Sequence, residues 1–243
     1  MSVKVTAMSK FNLLADHTFD LSLQSWAENE QLLIQTGIQN TSALALIHRG
    51  EDGIVVPRSY SNKPGFAEAA RKLAAQGLPV HIRLTGGGVV PQSADVINLQ
   101  LVYPVDAPHP LQVSDQHYLM LCGLLQKLFR SFGIDTAHQT VSGSFCDGRF
   151  NLAANGRKIA GTAQCWQRRP DEPNSYIVLS SAVILADHAK ELTERANLLE
   201  TALGSPTRYQ PEKTTAVAHL SGATAAEVYT VLKNLVRQEE AFR

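Results

Sequence analysis

One cysteine of this sequence lies where a substrate could reach it. Cys146 belongs to the segment SGSFCDG at residues 142–148, which is rich in glycine and serine and precedes a stretch typical of a strand. A packing cysteine more often lies inside a helix or strand among apolar neighbours, as we expect for Cys122 and Cys165. A cysteine thiolate can attack an acyl carbonyl and hold the acyl group as a thioester. Cys146 is therefore a candidate nucleophile, and its local sequence leaves an ordinary loop thiol open as the alternative.

A lysine in a predicted hairpin is the candidate partner of that thiol. Asn155-Gly156 strongly favours a two-residue hairpin turn, which would place Lys158 opposite Ala153. Strict alternation along the second arm then puts four residues on one face. These are Lys158, Ala160, Thr162 and Gln164. An isolated lysine on such an arm is more often exposed to solvent, so this alternative also stays open.

The thiol and the lysine meet only if the loop before the hairpin folds back. A strand running straight back from Ala153 would place Cys146 about 23 Å away, at about 3.3 Å per residue. A turn at Asp147-Gly148 would bring the loop over the hairpin. The ammonium of Lys158 would then favour the thiolate, because opposite charges about 4 Å apart attract by roughly 4 kcal/mol at an effective dielectric of about 20.

Three consecutive glycines follow a predicted strand. In RLTGGG, residues 83–88, glycine allows the backbone to approach a ligand closely or to adopt a positive φ. The segment lacks the Gly-Lys-Ser/Thr ending of a phosphate-binding Walker loop. Val89-Val90-Pro91 also opposes the helix that a dinucleotide-binding turn needs. We interpret the segment as a backbone platform beside an extended ligand, with a plain tight turn as the alternative.

The surrounding elements alternate between helix and strand patterns. Helices are predicted at residues 21–35, 64–77 and 114–133, and from the capping box of residues 224–227 onward. Strands are predicted at residues 42–48, 78–84, 96–103 and 176–184, with a loop at 105–110. We therefore expect an α/β (α+β) fold, a single domain over residues 1–243 with a mixed sheet and flanking helices.

Composition narrows the classes of function. Lys plus Arg and Asp plus Glu number 22 each, so no overall charge attracts a nucleic acid. No apolar run of about 18 residues could span a membrane, and the first residues lack the pattern of a signal peptide. Three cysteines without CxxC spacing predict neither a disulfide framework nor a metal site. We expect a protein of the reducing cytoplasm.

The motifs together resemble the lipoate–protein ligase A and octanoyltransferase family, which has a biotin/lipoate protein ligase-like catalytic domain. The resemblance rests on residues 83–88, on residues 156–164 (GRKIAGTAQ) and on an asparagine after the glycine turn. It implies a substrate-binding set of Arg83, Thr85, Gly86, Gly87, Gly88, Asn98, Gly161, Thr162, Ala163 and Gln164. The acyl tail would lie along the small residues of this set, and backbone N–H groups would stabilise an oxyanion.

A narrower resemblance concerns the cysteine loop. GSFCDGRF, residues 143–150, is similar to the loop of octanoyltransferases that move an acyl chain between carrier proteins. It implies that Cys146 and Lys158 are catalytic: the cysteine forms an acyl thioester, the lysine supports it, and a lysine of another protein receives the group. The implied partners are the glycine cleavage H protein, lipoyl domains of 2-oxoacid dehydrogenases or acyl carrier protein. No cofactor is required on this interpretation, and a monomer is expected.

Departures from the family pattern bear on the alternatives. Ile82 replaces an arginine, Gln92-Ser93 a His-Asp pair and Asp95 a glycine. The replaced groups would lie near a phosphate-handling site. Their loss weakens the interpretation as an ATP-dependent lipoate–protein ligase more than it weakens the interpretation as a transferase. The ligase, which would need ATP and in which Cys146 would be incidental, stays an alternative. So does a non-catalytic binder of acyl chains or lipoyl domains.

A further alternative lies outside the family. His138 and Asp135 precede the cysteine loop and could serve a thiol hydrolase. Proximity in sequence is weak evidence for such a pair, because the partners of a nucleophile must be arranged in space.

Overall fold

The computed structural model describes residues 10–15, 19–40, 42–170 and 172–241. Ten strands lie within them: β1 (Asn12–Leu13), β2 (Leu44–Arg49), β3 (Gly53–Pro57), β4 (Val80–Arg83), β5 (Val90–Gln92), β6 (Val96–Asp106), β7 (Ala137–His138), β8 (Leu152–Ala154), β9 (Arg157–Arg168) and β10 (Ser175–Leu185). Seven strands form a large sheet in the order β1-β2-β6-β10-β9-β8-β7. The other three form a small sheet in the order β4-β3-β5. Each sheet contains one parallel pair, β1 with β2 and β3 with β4, so both sheets are mixed.

The same residues contain six α-helices: α1 (Trp26–Asn40), α2 (Phe66–Ala75), α3 (Pro110–Arg130), α4 (Ala189–Ala202), α5 (Val217–Ser221) and α6 (Ala225–Gln238). Single 3₁₀ turns occur at Leu23–Ser25, Arg58–Asn62 and Pro211–Lys213. Among the helices so described, none has the length and apolar character needed to cross a bilayer.

The large sheet is packed on both faces. Odd-numbered residues of β6, such as Leu99 and Leu101, join α3 and α6 in the main hydrophobic core. Even-numbered residues face the other layer, where Val102 packs near α1 and Val96 packs against the small sheet and α4. Because both of its faces are covered, β6 carries a nearly continuous apolar run. This architecture confirms the predicted fold class, whereas the extent of the domain stays a prediction.

Two local predictions are confirmed by backbone geometry. Asn155 and Gly156 have φ values of 49° and 72°, and they join β8 to β9 by a two-residue turn with positive φ at both positions. At the start of α6, Thr224 accepts from the backbone of Glu227, whose carboxylate accepts from the backbone of Thr224. This is the reciprocal capping box that the sequence predicts.

Two expectations for residues 105–114 are wrong. Val105 and Asp106 continue β6 instead of starting a loop, because the neighbouring strand β10 extends far enough to pair with them. α3 begins at Pro110 and not after Ser114. Proline suits the first turn of a helix, because the N–H group that it lacks would have no hydrogen-bond partner within the helix there. The hydroxyl of Ser114 bonds to a carbonyl of the first turn instead of capping the helix.

The predicted alternation along β9 is also wrong. Lys158 has the expected partner across the hairpin, but Leu152 pairs with Ala160, so Ile159 is the extra residue of a β-bulge. Ile159 and Ala160 both pack in the main core. Beyond the bulge, Gly161 shares the face of Lys158: a Cβ atom on this glycine would lie 3.1 Å from the ammonium nitrogen.

Candidate active site

A cavity lies between the two sheets, and α1 covers it. It has about 560 Å³ of empty space including its open mouth, and its surface is largely apolar. Eight of the predicted site residues line it: Arg83, Thr85, Asn98, Cys146, Lys158, Gly161, Thr162 and Ala163. The structure thus brings the three sequence segments to one place.

The glycine turn lines an open groove that adjoins the cavity. Gly86, Gly87 and Gly88 form one side of the groove, and Tyr209 contributes to its wall. Cys146 lines both the groove and the cavity. The cysteine therefore lies where an apolar interior meets a space open to another molecule.

Gln164 is the one predicted site residue that lines neither space. Its side-chain oxygen accepts a hydrogen bond from Trp166 Nε1 at 3.0 Å. The bulge in β9 leaves Ala163 on the cavity side and turns Gln164 to the opposite face of the sheet. A role of Gln164 in substrate binding stays a prediction.

The sulfur of Cys146 lies against the glycine turn. The N–H group of Gly88 donates to Sγ at 3.1 Å. Cys146 has a φ of 49°, a left-handed conformation that is uncommon for residues with a Cβ atom. Gly87 has a φ of 106°, and a Cβ atom there would lie 2.8 Å from Sγ. Glycine at position 87 therefore allows the sulfur to approach the turn.

The cysteine loop folds back over the hairpin, which is the condition that the sequence sets for Cys146 and Lys158 to lie close together. Lys158 Nζ donates to the carbonyl oxygens of Phe145 at 2.7 Å and of Cys146 at 2.8 Å. Asn151 Nδ2 donates to the same oxygen of Cys146, and its Oδ1 accepts from the N–H group of Thr162. Asn151 thus ties the loop to β9. The sequence patterns did not identify this residue, because an asparagine after a Gly-containing loop is typical of any turn.

Lys158 is buried, with 2% of its surface exposed, so the alternative of a solvent-facing lysine is wrong. Burial lowers its pKa to about 8, and electrostatic interactions with Cys146 and Asp147 oppose this shift. The hydrogen bonds of its ammonium group are made to carbonyl oxygens of the loop. Its effect on the sulfur is therefore electrostatic, and it also fixes the backbone that carries the sulfur.

Arg83 fastens the glycine turn to the small sheet. Its Nη1 donates to the carbonyl of Val55 at 2.9 Å, and its Nη2 donates to those of Gly86 at 3.0 Å and Gly88 at 2.7 Å. Burial lowers the pKa of this guanidinium, and an electrostatic interaction with Cys146 opposes that effect. Arg83 thus positions the amide that contacts the sulfur and places a second cation near it.

Glu30 is a buried acid of the site that the sequence interpretation missed. Its carboxylate accepts from the backbone N–H of Leu84, from Thr85 Oγ1 at 3.1 Å and from Trp26 Nε1 at 3.2 Å. Burial raises its pKa, while these hydrogen bonds and Arg83 oppose the increase. A signal was present: Glu30 follows Trp26 by four residues, which places it on the apolar face of α1.

Two of the residues that depart from the family pattern have defined structural partners. Gln92 and Asn98 form a reciprocal pair of side-chain amide hydrogen bonds at 3.0 and 3.2 Å. Asp95 lies 3.0 Å from His188 Nδ1 and 3.5 Å from Arg49. The positions that would carry a His-Asp pair and a glycine are thus occupied by a buried amide and by a surface ion pair.

Neither residue of the hydrolase alternative lines the cavity or the groove. Asp135 and His138 are exposed. The ring of His138 stacks on that of Phe150, with centroids 6.1 Å apart. The geometry gives no support to a Cys–His pair made with His138.

Residues beyond β10 hold the cysteine loop and the lysine from outside. The N–H group of Gln210 donates to the carbonyl of Gly143, and that of Thr215 donates to the carbonyl of Lys158, both at 2.8 Å. We call residues 205–215 the bracing segment. Its backbone therefore fixes both members of the candidate catalytic pair.

The sequence was compared with those of known proteins. The family model described as the lipoyl protein ligase A/B catalytic domain matches residues 23–170. An uncharacterized protein of Cupriavidus necator is 41% identical over 174 residues, which are 68% of each chain. An octanoyl-[GcvH]:protein N-octanoyltransferase of Kyrpidia tusciae is 40% identical over 92 residues, 37% of this chain and 31% of the relative. The enzyme of that name from an Exiguobacterium species is 32% identical over 141 residues, 58% of this chain and 49% of the relative. The matches thus span less than half of these two transferases.

Solved structures with a similar fold were also found. A lipoate-protein ligase A bound with ATP superposes with a TM-score of 0.68, at 15% identity, over 94% of this chain and 85% of the other. A bipartite lipoate protein ligase of Thermoplasma acidophilum has a TM-score of 0.61, also at 15% identity, over 95% of this chain and 83% of the other. At this identity the likeness concerns the fold.

Proposed function

The chain belongs to the lipoyl protein ligase A/B catalytic domain family, and we propose that it is an acyltransferase that carries an octanoyl or lipoyl group on Cys146. The group comes from an acylated carrier protein and passes to a lysine side chain of a lipoyl-carrier protein. The names of the octanoyltransferase relatives support the glycine cleavage H protein as one carrier. Lipoyl domains of 2-oxoacid dehydrogenases and acyl carrier protein are the others.

The observation that carries this proposal is the position of Cys146. It lies between a cavity whose apolar surface suits an acyl chain and an open groove that a protein-borne lysine could enter. Its sulfur accepts the Gly88 N–H, and Lys158 and Arg83 place positive charge nearby. Cations next to a cysteine favour the thiolate, the form that attacks a carbonyl.

The reaction proceeds in two transfers. The thiolate of Cys146 forms a bond to the acyl carbonyl carbon, and the donor group leaves with a proton. The amine of the acceptor lysine then attacks the thioester, loses a proton and releases the sulfur as thiolate. Storing the acyl group on the enzyme divides one difficult exchange into two easier steps. The route uses no ATP, because the donor is already acylated, and it runs on a monomer in the cytoplasm, where thiols stay reduced.

The test is the mass of the intact protein after incubation with octanoylated glycine cleavage H protein. We expect the wild type to gain one octanoyl group, with peptide mapping to Cys146, and to pass it to an apo lipoyl domain. Cys146→Ser should form no thioester and lose transfer by at least about a thousandfold. Cys165→Ser, a matched change at a half-buried cysteine of β9, should keep both activities.

Two results would contradict the proposal. If Cys146→Ser keeps transfer when ATP and free lipoate are supplied, the chain is an ATP-dependent ligase with an incidental cysteine. If no octanoyl mass is found on any residue and no product forms, the chain binds acyl groups or lipoyl domains without catalysis.

A further inference from the structure

The open groove beside Cys146 contains one acid. In the part of the chain that the structure describes, Asp147 is the one acidic side chain that lines the groove, and Arg208 is the one basic side chain. Asp147 follows the candidate nucleophile directly, and consecutive Cα atoms are about 3.8 Å apart. Both neighbours line the groove. A carboxylate is therefore present where another molecule reaches the sulfur.

The carboxylate of Asp147 is available to a ligand. The residue is exposed, and among the described residues none donates a hydrogen bond to its carboxylate or forms an ion pair with it. Arg208 does not neutralise it, because its Nη1 donates to the carbonyls of Ser205 at 2.7 Å and Thr207 at 2.6 Å. Asp147 does interact electrostatically with the buried ammonium of Lys158. Its charge is therefore felt at the reacting group.

Two cations stay near the sulfur after Cys146 is acylated. Lys158 donates to carbonyls of the cysteine loop, and Arg83 donates to carbonyls of the glycine turn. These cations favour the thiolate, but the sulfur of a thioester carries no charge, so acylation removes the anion that they stabilise. Glu30, the other acid of the site, lines the cavity and not the groove. The acylated site therefore presents positive charge to an arriving acceptor.

The acceptor lysine arrives as a cation. The pKa of a lysine side chain is about 10.4, so it is almost entirely protonated at neutral pH. Lys158 and Arg83 repel it, and a carboxylate in the groove offsets this repulsion. We propose that Asp147 binds the ammonium group of the acceptor lysine and so makes the acylated site selective for a cationic acceptor. The inference rests on the proposed acyl transfer and concerns its second step.

No further reactant is needed for that step. The bound ammonium loses one proton to solvent and becomes an amine. Its nitrogen forms a bond to the acyl carbon, the carbon–sulfur bond breaks, a second proton goes to solvent and the sulfur leaves as thiolate. Positive charge develops on the nitrogen while the new bond forms, and the carboxylate of Asp147 stabilises this charge.

The charge of Asp147 has opposite effects on the two steps. Formation of the thioester needs an anionic sulfur, which a nearby carboxylate disfavours, whereas the second step needs a cation, which the carboxylate attracts. We therefore expect Asp147→Asn to acylate Cys146 at the wild-type rate or up to about threefold faster. Transfer to the acceptor should become about tenfold slower at concentrations below saturation. A substitution that merely disturbed the loop would slow both steps.

The two steps are measured separately by intact mass. Cys146 is acylated with the small thioester S-octanoyl-N-acetylcysteamine, and the loss of the octanoyl group is followed after an apo lipoyl domain is added. Asp147→Glu keeps the charge and should transfer within about threefold of the wild type. Asp135→Asn, the same change at an exposed acid outside the groove, should leave both steps unchanged. Transfer by Asp147→Asn at the wild-type rate, or equal slowing of both steps, would overturn the inference.

A second measurement does not depend on acyl transfer. Cys146 reacts with two methanethiosulfonate reagents, one that carries a trimethylammonium group and one that is neutral, and peptide mapping identifies the modified cysteine. The thiolate fraction cancels in the ratio of the two rates, so the ratio reports the charge of the groove. We expect Asp147→Asn to lower the cation-to-neutral ratio about fivefold and Asp135→Asn to leave it unchanged.

This ratio separates the inference from the proposed function. A ratio that Asp147→Asn leaves unchanged overturns the inference, whether or not the chain transfers acyl groups. A lowered ratio without acylation of Cys146 by any donor supports a cation-binding groove and contradicts the transferase. Acylation of Cys146 together with an unchanged ratio keeps the transferase and rules out Asp147 as the residue that binds the acceptor.

Discussion

The two ends of the cavity differ in how their buried polar atoms are bonded. At the cysteine end, Arg83, Lys158 and Asn151 direct their nitrogens to backbone carbonyls, and none of their buried polar atoms lacks a partner. At the far end, two residues along β6 and β10 from the row of Gly161, Gln100 and Ser181 each have an unbonded atom. A complete network fixes the geometry of the reacting groups before the substrate arrives. The unbonded atoms of Gln100 and Ser181 add no such constraint.

The largest effect on stability is expected from removing hydrogen bonds at the cysteine end of the cavity. Arg83→Met removes the donors to three carbonyl oxygens, so we expect the free energy of unfolding to fall by about 3 kcal/mol. Urea denaturation measures this free energy of unfolding for the wild type and the variant. The control is Arg71→Met at an exposed position of α2, expected to change stability by less than about 0.5 kcal/mol. Equal effects of the two substitutions would mean that the bonds of Arg83 contribute nothing.

Adding one methyl group to the glycine turn tests how tightly the sulfur is enclosed. Gly87→Ala places a Cβ atom 2.8 Å from Sγ at a φ of 106°, so we expect a cost of about 2 kcal/mol and slower alkylation of Cys146. Gly86→Ala is the control, because a Cβ atom there has nothing within 4 Å. If both variants alkylate at the wild-type rate, the turn does not constrain the sulfur.

The charge of Lys158 predicts a pH dependence. Its folded pKa is lowered to about 8, so the ammonium is present below pH 8 and lost as the pH rises above it. Lys158 is therefore expected to stabilise the Cys146 thiolate only below that pH. The ratio of wild-type to Lys158→Met alkylation rates of Cys146 should be about tenfold below pH 8 and approach one above it. A ratio that is constant with pH would rule out an electrostatic role.

The smallest effect is expected at the unbonded end. Gln100→Leu removes a buried oxygen that has no partner, so without ligand we expect stability to be unchanged or higher by up to about 1 kcal/mol. Ser180→Ala, which loses a bonded hydroxyl, should lower stability by about 1 kcal/mol. Thermal unfolding of the two variants compares them. A destabilised Gln100→Leu would show that the Gln100 side chain contributes to folding although its oxygen has no partner.

Much of the site follows from the sequence because each motif fixes a local geometry. The Asn155-Gly156 turn determines which residue Lys158 faces, and the glycines at 86–88 allow the approach of Cys146. The bulge at Ile159 could not be predicted, since the segment offers small residues to both faces and either register buries them. The position of Gln100 at an internal cavity was hidden for another reason. In the otherwise apolar β6, Asn98 and Gln100 alternate with apolar residues over a few positions, which is typical of a strand wetted on one face, and a pattern cannot distinguish solvent from an internal cavity.

The bracing segment, residues 205–215, limits how far the chain can be shortened without disturbing the candidate site. It lies outside the part of the chain matched by the family model, yet its amides hold the carbonyls of Gly143 and Lys158. A fragment ending at residue 170 would contain every motif of the site and would lack the backbone that keeps thiol and amine together. The shortest functional unit is therefore longer than the stretch by which the family is recognised.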